Sequence, residues 1–178
     1  MSRRVPATVL AVGARAVLGG YLAVHGAQKL FGMFGGHGLE ATATGFESMG
    51  LTPGREMALL AGGSEVVGGL LTAAGIADPL GPITIAGAMT VASAVHRPAG
   101  PMLAKGGFEL PLTNLAFAAL AGLSGGPRLV PLPAKVTRLL AAGALGLTTV
   151  SVVKVVRAQV EKSKAAEREA LAGRGGEI

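Results

Sequence analysis

Apolar residues in this chain fall in long blocks separated by short polar breaks, not in the period-two alternation of strands. Five blocks emerge. The first runs from about Val5 to Phe31, the second from Met57 to Ala77 and the third from Pro79 to Val95. The fourth runs from Leu110 to Gly126 and the fifth from Leu139 to Val153. A membrane-crossing helix needs about 20 apolar residues. The first two blocks meet that length, and the last three approach it if Arg97, Arg138 and Lys154 snorkel at their ends. The pattern predicts an all-α, polytopic membrane protein with five candidate transmembrane helices, the fifth of them C-terminal. The fifth block is also short enough to lie in the interface instead.

The gaps define the connections. Gly32 to Arg55 is the longest, and within it "LEATATGFESMG" predicts a short re-entrant or interfacial helix. "ADPLGP" reads as a tight hairpin between the second and third blocks. "HRPAGPMLAKGGFE" joins the third to the fourth. After Lys154 the sequence reads as a charged helical extension ending near Gly173. The expected division is a membrane core over 1–128, a linker and fifth helix over 129–153, and a charged tail over 154–178. The basic, then apolar opening has the look of a signal peptide. Arg15 interrupts it early and no small-residue cleavage site precedes His25, so an uncleaved first helix is expected. Sidedness stays open, because it turns on whether the fifth block crosses.

Composition sharpens this picture. Of 178 residues, half are hydrophobic and only 15% are charged, well under the roughly 25% of soluble domains. The 29 glycines would weaken soluble helices, but in a bilayer they let helices approach closely. Cysteine is absent, which excludes disulfides, thiolate chemistry and cysteine-ligated clusters on this chain. Tryptophan is absent and tyrosine occurs once, so Phe31, Phe34, Phe46 and Phe108 stand in for the usual interfacial aromatics. The net charge of +6 has no basic stripe interleaved with aromatics, so nucleic acid is not an expected partner. The charge sits at block ends and in the tail, where it meets membrane lipid headgroups.

The polar residues inside the blocks carry the candidate chemistry. A charge deep in a span costs about 2.5–3.5 kcal/mol on insertion scales and is usually paired or functional. Arg15 lies within about two turns of the middle of the first block and Glu65 near the middle of the second, so an Arg15–Glu65 ion pair is expected. It acts either as a lock between the two helices or in ligand or proton handling. At about 100° per residue, Arg15, His25 and Lys29 share one flank of the first helix. The same end of the bundle receives His96 and Arg97 at the close of the third block and Lys105 and Glu109 at the start of the fourth. His25, Lys29, His96 and Glu109 are therefore expected to line a polar pocket. Each histidine lacks a second ligand at metal spacing on its own helix, so no metal is assigned. His37, in the glycine-rich loop, reads as solvated.

Three stretches together resemble the DoxX family of bacterial membrane proteins: "ARAVLGGYLAVHGAQKLFG" at Ala14–Gly32, "GGSEVVGGLLTAAG" at Gly62–Gly75 and "KGGFELPLTNLAFAAL" at Lys105–Leu120. The resemblance covers about Ala14 to Arg128 and implies a four-helix membrane core in a bacterial plasma membrane. The positions that match the family's polar residues are Arg15, His25, Gly26, Lys29, Glu65 and Glu109. The family implies an association with quinone-linked oxidation of thiosulfate or with oxidative-stress defence, and many members have no established activity. Without cysteine, sulfur chemistry would need a partner such as a sulfurtransferase. The resulting expectation is a multi-pass protein whose polar pocket binds a small ligand such as a quinone headgroup. Any enzymatic role would be that of a membrane subunit of a quinone-linked oxidoreductase. The alternatives are a scaffold that anchors soluble redox partners through its tail, and a small-molecule permeation unit.

Overall fold

The computed structural model describes residues 7–124, 130 and 132–175. Among the described residues six α-helices follow in order: α1 Ala7–Phe31, α2 Gly38–Ser48, α3 Gly54–Ala74, α4 Leu80–His96, α5 Glu109–Leu123 and α6 Ala134–Gly175. Single turns of 3-10 helix at Met33–Gly35, Arg97–Ala99 and Leu103–Lys105 fill the connections. Glycine and proline set the boundaries. α3 stops at Gly75, whose left-handed backbone (φ 66°) closes the last turn, and Pro79 precedes α4.

α1, α3, α4 and α5 form the bundle, with α1 against α3, α3 against α4, α4 against α5, and α5 back against α1. α2 lies across the α1–α3 end, and α6 packs along α4. Leu18, Leu22, Ile85, Met89, Ala118 and Ala121 make the buried apolar core. Val17 and Phe31 on α1, Val67 and Leu70 on α3, Phe117 and Leu120 on α5, and Leu139 and Leu145 on α6 face outward. Arg15, Glu65, Thr72, Asp78, Asn114 and Ser151 are buried. Charge inside and leucine outside is the arrangement that a lipid solvent selects. The chain is an all-α membrane protein. α1, α3 and α6 are long and apolar enough to cross a bilayer, while α4 and α5 are shorter, with 17 and 15 residues.

Glycines set the register between α1 and α3. Gly19 and Gly26 are seven apart on α1, and Gly62 and Gly69 are seven apart on antiparallel α3. A Cβ at Gly19 would lie 2.3 Å from Gly69 O, and one at Gly26 would lie 2.5 Å from Gly62 O. Only hydrogen fits at these two crossings, so they act as paired notches.

The fifth block and the charged helical extension expected after Lys154 form one helix: α6 runs unbroken from Ala134 to Gly175. Lys154 does not end it, because no glycine or proline follows before Gly173, and the residues between are good helix formers. The "LEATATGFESMG" segment does form a helix, α2, folded back over the bundle end.

Candidate functional site

The C-terminal ends of α1 and α4 and the N-terminal ends of α3 and α5 gather at one end of the bundle. α6 runs parallel to α4, with Thr148 beside Gly87 and the Gln159 amide donating to Ala94 O at 2.9 Å. A cavity of about 440 Å³ opens among these helices. Most of its wall is apolar, with Met57 and Leu60 of α3, Met89 and Val91 of α4, and Leu147 of α6. Its charged and strongly polar groups, His25, Lys29, Glu65, His96 and Asn114, are few, and the hydroxyls of Ser64, Thr84, Thr148 and Ser151 add to them. That combination is typical of small-molecule sites.

Lys29 and Glu65 form the charged end. The Lys29 ammonium lies 2.5 Å from each Glu65 carboxylate oxygen, and the carboxylate is 4% exposed. Opposite charges in contact make this end locally neutral, so the ammonium is held without drawing in a free anion. The expected Arg15–Glu65 pair does not form. Arg15 instead pairs with Asp78, both side chains fully buried, and donates to Ala121 O at 2.6 Å. The reason is register. The Gly19–Gly69 and Gly26–Gly62 crossings place Arg15 opposite residues about 73, roughly two turns from Glu65. Glu65 therefore faces the His25–Lys29 turn. Sequence reading missed Asp78 because it sits in "ADPLGP", a stretch that also satisfies every requirement of a turn. The available signal was that a buried arginine needs an acid, and Asp78 is the one acid between α3 and α4.

The two histidines are held in defined tautomers. His96 Nδ1 lies 2.8 Å from Gly106 O; a carbonyl only accepts, so Nδ1 carries the proton and donates. His25 Nδ1 lies 3.2 Å from Gln28 Oε1, and Gln28 Nε2 donates to Phe34 O at 3.3 Å. The Phe34 carbonyl thus orients the amide, and the amide oxygen accepts from His25 Nδ1–H. In the neutral rings, Nε2 of each histidine is left as an acceptor. The His25 ring also stacks on Tyr21, with centroids 5.9 Å apart.

Of the four expected pocket residues, His25, Lys29 and His96 line the cavity and Glu109 does not. Glu109 Oε2 accepts from the Leu103 N–H at 3.0 Å and braces the loop before α5. In the same loop a Cβ at Gly107 would lie 2.1 Å from Gly100 O, so the "GGFE" stretch serves a tight fold that carries His96's partner Gly106. Gln28 was not singled out as a site residue, although it sits within the quoted first-helix motif.

These features define a class: a helical membrane protein with a mainly apolar interior cavity that ends in a neutralised ion pair and two tautomer-fixed histidines. A family model, DoxX, matches residues 10–97, and the chain carries a DoxX-family domain over that segment, α1 to α4. α5, with its "GGFE" lead, and α6 lie beyond the match. No curated protein and no solved structure matches the chain.

Proposed function

We propose that this DoxX-family protein is a multi-pass protein of a bacterial plasma membrane whose cavity binds a small amphiphile, with a quinone headgroup as the best chemical fit. The observation that carries the reading is the division of the cavity wall. One end holds the Lys29–Glu65 pair with His25 and His96, and most of the remainder is hydrocarbon. A ring with two oxygens and an apolar body matches that division. The ammonium of Lys29 donates to a carbonyl oxygen, the histidine Nε2 atoms accept from a hydroxyl, and Met and Leu side chains cover the ring. The neutral ion pair disfavours a fully ionised ligand. On this reading the protein serves a redox or oxidative-stress system as its ligand-holding membrane component.

The test is to purify the protein in mild detergent and extract the bound lipid. A quinone is expected at near-stoichiometric amount from the native chain and at under about a tenth of that from His25→Ala, a residue that would lose its hydrogen bond to the ligand. Equal trace amounts from both would overturn the reading. A second reading, a scaffold for soluble redox partners, rests on α6, whose residues from Lys164 to Ala172 are all exposed. Co-purification of a soluble enzyme that disappears when residues 165–178 are removed would favour it.

A further inference from the structure

Behind the polar end of the cavity lies a second one, of about 410 Å³, under α2. Its wall is made by His25, Gln28 and Lys29 of α1, by Gly35, Gly36 and His37 of the connecting loop, and by Ala41, Thr42 and Gly45 of α2 with Phe46 and Met49. Four residues line both cavities: His25, Lys29, Phe46 and Met49. They form a partition, one side facing the mainly apolar chamber and the other a groove at the bundle surface.

The two sides differ in chemistry. The groove presents two imidazoles, an amide, an ammonium and a hydroxyl, together with the backbone of a glycine loop, so water inside it finds several partners. The loop must lie this close to α1, because a Cβ at Gly36 would come within 2.5 Å of Gln28 Cα. The Thr42 hydroxyl, 3.2 Å from Lys29 O, ties α2 over the groove. The chamber side, by contrast, is walled chiefly by Met, Leu, Val and Ala.

We propose that the groove under α2 is an aqueous vestibule. It brings water from the bundle surface to the partition at the Lys29–Glu65 end of the chamber, where His25, Lys29, Phe46 and Met49 meet both compartments. The proposal concerns access and holds whatever ligand the chamber takes.

The chain contains no cysteine, so single introduced thiols report individually. Ala41→Cys places one in the vestibule alone, Met49→Cys in the partition and Ala61→Cys in the chamber alone. The full-length variants, in nanodiscs, are treated with a positively charged methanethiosulfonate and, separately, with a neutral lipophilic maleimide. The charged reagent is expected to modify the Ala41→Cys and Met49→Cys variants at least about tenfold faster than Ala61→Cys, because a fixed charge is excluded from the apolar chamber. The neutral reagent is expected to reach all three at similar rates, which establishes that each thiol is present. Adding Gly45→Phe, at a position where a Cβ meets nothing within 4 Å, fills the groove and slows the charged reagent at Met49→Cys about tenfold. If Met49→Cys does not fold, Phe46→Cys, on the same partition, replaces it. Charged modification of the partition no faster than that of Ala61→Cys, or a rate unmoved by Gly45→Phe, overturns the proposal.

Discussion

Two buried arrangements of opposite charges divide the work between them. Arg15–Asp78 lies outside the cavity wall and ties α1 to the α3–α4 corner and, through Ala121 O, to α5. Lys29–Glu65 lies in the cavity wall and is partly open to it. Removing one member of a fully buried pair strands the other, at a cost of about 3–5 kcal/mol. Asp78→Asn is therefore expected to lower the detergent melting temperature and membrane abundance strongly, while the folded fraction keeps its ligand. Thermal melting alongside the lipid extraction described above checks this. Loss of ligand at unchanged melting would mean that the Arg15 pair belongs to the site. Arg15, Lys29 and Glu65 were legible in the sequence as charges within apolar blocks, and so was the flank shared by His25 and Lys29, whereas Asp78 was not. The partners were not, because depth in a span says where a charge sits only to within a few turns.

Helix pairing is decided by four glycines. Gly19, Gly26, Gly62 and Gly69 meet across α1 and α3 at backbone contact, whereas Gly20, next in the chain to Gly19, has open space around it. Gly19→Leu has to push α3 away or displace its own side chain, which costs about 1–3 kcal/mol or more. Gly20→Leu is expected to be neutral or slightly stabilising, since leucine is the better helix former. Melting curves of the two variants should separate clearly, and equal stability would remove the notched crossing as the determinant of register. Glycine abundance announced close packing, yet which glycines pack and which face outward depends on the partner helix. The α2 segment shows the same division. Its helical character was readable, but its role as the roof of the vestibule comes from folding back over α1.

At the scale of the molecule, α6 extends the DoxX-family segment and completes the chamber wall with Ala144, Leu147, Thr148 and Ser151. Its later turns then leave the bundle. Lys162 still reaches Ser48 O, at 2.5 Å, but the residues from Lys164 to Ala172 are exposed. Truncation after Lys164 is thus expected to change stability by no more than about 0.5 kcal/mol, the usual range for surface changes. Ligand retention should also be unaffected. Differential scanning fluorimetry of the truncated and full chains tests this, and a large drop in melting temperature would show that the terminal turns pack on something.

The sequence alone determined that the chain is helical, that it belongs in a membrane, and that His25, Lys29 and Glu65 are polar groups set within apolar segments. These follow from block hydrophobicity and the desolvation of charge, both properties of the local chain. Tertiary structure decided which charge meets which, that Glu109 braces a loop, and that two cavities share the His25–Lys29 wall. The charge pairing and the shared wall depend on the register of one helix against another. Backbone contact at glycine sets that register between α1 and α3, and nothing within a single helix encodes it.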